Sequence, residues 1–297
     1  MTPFAGKKKI TITPSSSVER IARKGVRNSW GHLSMRDRFQ DSTLLLSNLA
    51  KKVPNEFLQS IWARTRMQPG KSLLELGCGS GELTAWFALK GIVVAGVDLS
   101  EAMVKMAQQQ FPSMAQQFHH AEAIDFMRSS PNPWDIIVSF ESMHLWLNDP
   151  SLPNALKRAL IRGGFLVVAW RTLEWENICR DVIVDALTVS GVQFYDWGYW
   201  TCPNLADVLE RTAMNYYFQA PVVISVRHSS TAKEVVEFVL GIDRVQDLSE
   251  EAREQLATGL HKRIEAVCHG GRFVGDATYS AQVAELSDNS RMPRSSH

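Results

Sequence analysis

The chain has 297 residues, 45% of them apolar and 21% charged, with a formal net charge of +1. That is enough to bury a full core, and it lies at the upper end of what one domain holds. So even a charge balance gives no overall field to gather a nucleic acid or an anionic membrane, which argues against both as partners.

Four widely spaced cysteines, Cys78, Cys179, Cys202 and Cys268, form no C-x-x-C pair, so neither a zinc site nor a disulfide framework is expected. No apolar run approaches the roughly 20 residues of a bilayer span, and the start lacks the apolar stretch of a secretory signal. The expectation is a cytoplasmic protein. Residues 1–16 are polar, interrupted by Pro3 and Pro14, and read as a disordered basic arm. The first forty residues are rich in Lys and Arg against Glu19 and Asp37 alone, so the arm reads either as flexible or as a mitochondrial presequence.

A single domain is expected over 17–286, with a flexible tail at 287–297. Ahead of the first strand, apolar residues recur at helical spacing in Leu44, Leu45 and Leu49, then in Phe57, Leu58, Ile61 and Trp62, with Pro54 and Asn55 marking a helix start. From Lys71 short apolar runs alternate with helical patterns, as in a parallel sheet of βαβ units. Strands are predicted at 72–76, 93–97, 117–120, 134–140 and 164–170, with helices at 81–90, 101–110 and 152–160. Five strands at this spacing predict an α/β, doubly wound, mostly parallel sheet. After Arg171 come helices and an aromatic cluster at 194–200, readable as pocket lining or as core. A helix at 204–214, a strand within 217–226, helices at 231–240 and 249–267, and a last strand at 278–284 follow. In the longer helix Leu256, Leu260 and Ile264 repeat at a four-residue spacing.

The stretch from Leu73 to Leu83 runs a buried strand through Gly77, Gly79 and Gly81 into a helix. Glycines suit a tight turn against which a nucleotide lies closely. The spacing is G-x-G-x-G and not G-x-G-x-x-G, and Glu75 and Glu82 put carboxylates beside the turn, so a ligand with a cationic amino acid end suits it better than a pyrophosphate. The next strand ends in Asp98, about twenty residues past the first glycine, where a carboxylate accepts hydrogen bonds from ribose hydroxyls. Its plainer reading is a cap on the helix beginning near Glu101.

These residues resemble the first motif of the class I S-adenosylmethionine (SAM)-dependent methyltransferases, an acidic residue followed by G-x-G-x-G, matched by Glu75, Gly77, Gly79 and Gly81. The resemblance covers about 65–172 and implies a Rossmann-like methyltransferase fold that binds SAM and releases S-adenosyl-L-homocysteine (SAH); no metal is expected, because no cluster with ligand spacing lies near these motifs. It implies a ribose contact at Asp98 and adenine packing by Leu99 and Met103. His120-Ala121-Glu122-Ala123 is similar to the family's Asp-Ala-Glu segment, with His120 in place of the Asp; the cofactor contacts it implies fall to Ala121 and to Glu122 or Asp125. The segment ending in Phe140 through His144 resembles the family's fourth strand and exit loop, which line the gap between methyl donor and acceptor and imply Phe140 as a cofactor contact. His144 reads either as the catalytic base or as a structural histidine. Glu141 reads as a base, a metal ligand or an exposed acid. Arg171 reads as a partner for an acceptor carboxylate or as a solvated strand end. By layout, segments at about 172–203 and 228–268 resemble the helical cap of the branch similar to trans-aconitate methyltransferase, which implies a small-molecule acceptor. The rivals are a methyltransferase of protein or nucleic acid, a non-catalytic SAM-binding protein and, on glycine spacing alone, a nicotinamide oxidoreductase.

Overall fold

A computed structural model describes residues 53–192, 205–210, 215–241, 245, 247–268 and 270–287. The basic arm, the helical pattern at 44–49, the aromatic cluster at 194–200, Cys202 and positions 288–297 lie outside the described residues. Helix α1 (Asn55–Arg64) opens at Pro54, as the sequence predicts, and buries Phe57, Leu58 and Ile61. Then come β1 (Ser72–Leu76), α2 (Glu82–Ala88), β2 (Val93–Asp98), α3 (Glu101–Gln110), β3 (Phe118–His120), α4 (Ala123–Ser129) and β4 (Trp134–Phe140). A 3-10 turn at Met143–Leu145 leads to α5 (Leu152–Ala159) and β5 (Leu160–Leu173). The rest comprises α6 (Glu174–Val189), α7 (Leu205–Glu210), β6 (Tyr216–Phe218), β7 (Val222–Thr231), α8 (Ala232–Leu240), α9 (Glu250–Val267) and β8 (Arg272–Leu286).

The sheet has the order β3-β2-β1-β4-β5-β8-β6, with β7 also paired to β8. From β3 to β5 all pairs are parallel, whereas β8 runs antiparallel to β5, β6 and β7. Central strands of such a sheet are covered on both faces, which is why β1 and β4 read as continuous apolar runs. One face packs Leu73, Val138, Val167 and Ala281 under α1, α2, α6, α8 and α9. The other packs Leu74, Ile137, Leu166 and Val168 under α4, α5 and α7. In α5 the buried residues Leu152, Ala155, Leu156 and Ala159 fall on one stripe, and in α9 Leu256, Leu260 and Ile264 do the same.

Several elements differ from the sequence expectation: the one strand expected within 217–226 is two, β6 and then β7, which runs on to Thr231. Strand β5 begins four residues early, across Gly163 and Gly164, through a register shift against β4 between Trp134 and Ile136. Strand β8 spans Arg272–Leu286, and α4 is a helix that the pattern did not suggest. Beyond Leu173, the last β5 residue paired with β8, the β7–β8 ladder continues from Arg227↔Asp276 to Thr231↔Arg272. It thus projects past the carboxyl end of β5, and β7 already occupies the first residues of the second expected cap segment. Helix α9 packs against both α6 and α8, forming a helical layer on the α1 face. Among the described residues no helix is long and apolar enough to cross a membrane.

Candidate active site

The glycine turn leaves β1 at the carboxyl edge of the sheet, beside the end of β2. Gly77, Gly79 and Gly81 all have positive φ, at 70°, 51° and 86°. Their surroundings differ. A Cβ on Gly77 would lie 2.5 Å from the Cβ of Ser142, and one on Gly81 would lie 2.6 Å from the Phe118 ring. At Gly79 such an atom meets nothing within 4 Å. The first and third glycines are needed for packing, and the second leaves an open cradle against which a ligand can lie.

Asp98 ties the two strand ends together. Its carboxylate accepts from Gly79 N–H at 2.8 Å and from Ser100 N–H at 2.9 Å, one on each oxygen. Burial raises its pKa, and these N–H donors and nearby His120 oppose the rise. Each carboxylate oxygen has two lone pairs, so these bonds still leave acceptor capacity for ribose hydroxyls. The cap reading is met by Ser100, whose hydroxyl accepts from Met103 N–H at 3.3 Å at the start of α3. His120 lies within 3.0 Å of the Leu99 carbonyl through Nε2; a carbonyl only accepts, so Nε2 carries the proton. Glu122 caps α4, accepting from Asp125 N–H at 3.0 Å, and Ala121 N–H donates to the Asp98 carbonyl at 3.1 Å.

Glu75 is 3% exposed and accepts from both the N–H and the hydroxyl of Thr84. Since Gly81 has no side chain to cap α2, Glu75 supplies the acceptor from the strand below. Burial pushes its pKa to about 8, outweighing the Thr84 hydrogen bonds. Sequence reasoning missed Ser142. Its hydroxyl donates to the Leu76 carbonyl at 2.6 Å and, its proton being engaged, accepts from Ser139 at 2.7 Å. It locks the exit loop of β4 onto the glycine turn.

Beyond Phe140 the chain turns through Glu141, a non-glycine residue at φ 55°, a conformation that surrounding structure must hold. Its N–H donates to the Ala169 carbonyl at 2.9 Å, and its carboxylate pairs with Arg171 Nε at 3.2 Å. The Arg171 side chain is only 11% exposed, so the solvated strand end is corrected: it lies within the fold. Burial would lower its pKa but is outweighed by Glu141, Tyr279 and Glu176, and the net shift is upward. Tyr279, paired with Arg171 across the ladder, shares a hydrogen bond with it and stacks on Phe140 at 6.4 Å. Glu176, in the first turn of α6, accepts from Leu173 N–H at 3.1 Å, and burial raises its pKa to about 7 against that bond and Arg171.

His144 meets Trp170 edge to face at 5.3 Å, and burial lowers its pKa to about 4, so the ring is neutral at pH 7. Side chains alternate along β5, with Ala169 and Leu173 on the α1 face and Val168 on the other. Arg171 therefore shares the α1 face, and Trp170, with His144 against it, occupies the opposite one. Among the described residues no group of three His, Cys, Asp or Glu could hold a metal ion.

The sheet order and the site at its carboxyl edge define a Rossmann-like methyltransferase fold, which solved structures share. The Escherichia coli protein YjhP is 16% identical, with a TM-score of 0.51, over 83% of this chain and 99% of that one. The Haemonchus contortus phosphoethanolamine N-methyltransferase 2, solved with phosphomonomethylethanolamine and SAH, is 17% identical, with a TM-score of 0.50, over 86% of this chain and 61% of that one. Residues 74–168 match the family model described as a methyltransferase domain. The ubiquinone biosynthesis O-methyltransferase of Aromatoleum aromaticum is 33% identical over 97 residues, 32% of this chain and 41% of that protein. The chain thus spans about two fifths of the length of the curated relatives it matches.

Proposed function

We propose that this protein transfers a methyl group from SAM to a nucleophilic atom of a small-molecule metabolite, oxygen first and nitrogen or carbon otherwise, leaving SAH. The observation that carries the reading is the open cradle at Gly79, whose N–H is held by Asp98 at the carboxyl edge of β1 and β2. A nucleoside fits against such a turn, with its ribose on the carboxylate. In this reading Gly77, Gly79 and Gly81 shape the turn, Glu75 stiffens it through Thr84, and Leu99 and Met103 flank the adenine. Ala121 and Glu122 border the base, and Phe140 faces the methyl donor. The names of the curated O-methyltransferases support oxygen as the attacked atom.

Bound SAM supplies an activated methyl on a sulfonium, so the protein contributes positioning, exclusion of water and, for a protonated acceptor, a place for the proton. We assign that place to His144. A ring held near 4 is a weak base, but a hydroxyl acquires strong acidity as its oxygen takes on the methyl, so a neutral imidazole suffices late in the transfer.

Calorimetry with SAH tests the cofactor assignment: binding is expected at a Kd near 1–5 μM or tighter, about −7 to −8 kcal/mol, with no measurable NAD binding. Incubation of the protein and labelled SAM with a metabolite extract then tests transfer. A labelled small molecule is expected; label in protein or nucleic acid, or binding without turnover, would favour a rival reading. Turnover is expected to survive EDTA, and restoration by magnesium after loss in EDTA would reject the metal-free assignment.

A further inference from the structure

Below α6 and α8, on the α1 face, lies a hollow walled by Arg171, Leu173, Trp175, Ser230, Glu234 and Phe238. Counted out to its mouth it holds about 280 Å³ of empty space, but its closed interior has room for one water-sized group. Trp175 walls this hollow and a neighbouring one between α6 and the β7–β8 ladder. The indole is 3% exposed, and its Nε1–H has no hydrogen-bond partner among the described residues. A buried donor in that condition carries the cost of a lost hydrogen bond, so a partner from outside the chain is expected there.

The hollow connects to the site through Arg171, which reaches Glu141 directly after β4. Its charged wall groups are already engaged: Arg171 is paired with Glu141, and Glu234 accepts from Thr231 N–H. His228, also on the wall, lies 2.8 Å from the Ser230 hydroxyl. The guanidinium on the wall is thus already engaged by Glu141 and Tyr279, and the carboxyl group on the wall is that of Glu234, so an incoming anion would gain little attraction there. The aromatic walls from Trp175 and Phe238, which meet edge to face at 5.3 Å, suit a flat or cationic body.

We propose that this hollow seats one oxygen of the methyl acceptor, a hydroxyl or carbonyl that accepts from the Trp175 indole N–H, and that the acceptor is an uncharged or cationic small molecule. The proposal rests on the methyltransferase reading above and adds the substrate class. The test uses the full chain with ¹⁵N-labelled tryptophan, saturated with SAH and titrated with phenol, tyramine and 4-hydroxybenzoate. Trp175→Phe, which keeps an aromatic ring and removes the N–H, identifies the Trp175 signal. That signal is expected to move with phenol and tyramine, and calorimetry on the unaltered protein is expected to give tyramine at least tenfold tighter than 4-hydroxybenzoate. In Trp175→Phe, tyramine binding is expected to weaken three- to tenfold with SAH affinity unchanged. If SAH binds and no probe moves the Trp175 signal, or 4-hydroxybenzoate binds tightest, this proposal fails alone, and the hollow holds an ordered water. If SAH itself does not bind, the parent reading fails and takes this one with it. The calorimetric comparison needs no variant, so a poorly folded Trp175→Phe leaves it decisive.

Discussion

The two ends of the carboxyl edge engage their polar side chains in different proportions. On the glycine-turn side, around β1 and β2, Asp98, Glu75 and Ser142 all bond to backbone groups of the turn and its neighbours. On the β5–β8 side, Glu176 bonds to backbone, but Arg171 bonds to the side chains of both Glu141 and Tyr279, and Trp175 N–H has no partner among the described residues. A turn fixed by its own backbone is ready for a ligand of constant shape, which is what a cofactor is. A pocket walled by paired side chains can exchange those partners for groups on a ligand, which suits recognition of an acceptor.

His144 lies at the boundary between the two sides, so its removal is the sharpest probe of the comparison. His144→Ala is expected to lower kcat by about a hundredfold to ten-thousandfold for a hydroxyl acceptor while SAH affinity stays within about twofold, the span of lost general base catalysis. A loss below threefold would return His144 to a packing role against Trp170.

The glycines separate packing from binding within the cofactor side. Gly79→Val is expected to weaken SAH at least about a hundredfold, by filling the open cradle, and to cost only about 1–2 kcal/mol of stability from its positive φ. Gly77→Ala is expected to cost more stability, about 2–4 kcal/mol, because its Cβ would collide with Ser142 as well. Denaturant titration beside calorimetry checks both; equal stability losses would contradict the geometry. Asp98→Asn should follow with roughly a tenfold weaker SAH complex, near 1.4 kcal/mol, since an amide offers one acceptor oxygen in place of two. Unchanged affinity would reject the ribose assignment.

The same division accounts for what the sequence made legible. The glycines, Glu75 and Asp98 lie within about twenty-five residues and act through local backbone, so their spacing announces them. Gly77 shows where that reading stops: its spacing was plain, but the reason for it is Ser142, which only the pairing of β1 with β4 brings near. The Arg171 cluster joins β4, the end of β5, α6 and β8, and no local pattern predicts such a meeting. Strand β5 was read short because Gly163 and Gly164 look like a turn, and a register shift in fact carries the strand through them. Helix α4 is only seven residues long, too brief for periodicity to stand out, although Glu122 in the capping position was a usable signal.

The smallest expected effect concerns protons buried on each side of the comparison. Glu75 and Glu176 have folded pKa values raised from 4.5 to about 8 and about 7, chiefly by burial. Above pH 4.5 the unfolded chain releases these protons and the folded chain retains them, so stability present at low pH is lost as pH rises through the folded values. His144 acts in the opposite sense: its folded pKa is lowered from 6.5 to about 4, so protonation of the unfolded chain removes stability as pH falls through that window. Between pH 4.5 and 6.5 the histidine therefore offsets one carboxyl group. From pH 7 to 8 Glu75 contributes most of the change, with Glu176 completing its titration, and stability should fall by about 1.4 kcal/mol across that unit. Glu75→Gln keeps an acceptor for Thr84 and cannot ionise, so its stability should fall much less over that interval, keeping only the remainder of the Glu176 titration, and exceed that of the unaltered protein at pH 8. Glu176→Gln should instead make the fall shallower between pH 6.5 and 7.5, on the acceptor side, while the Glu75 slope persists. Denaturant unfolding at closely spaced pH values resolves the two, and an unchanged slope from pH 7 to 8 in Glu75→Gln would mean that Glu75 is already ionised in the fold and holds the first turn of α2 as a carboxylate.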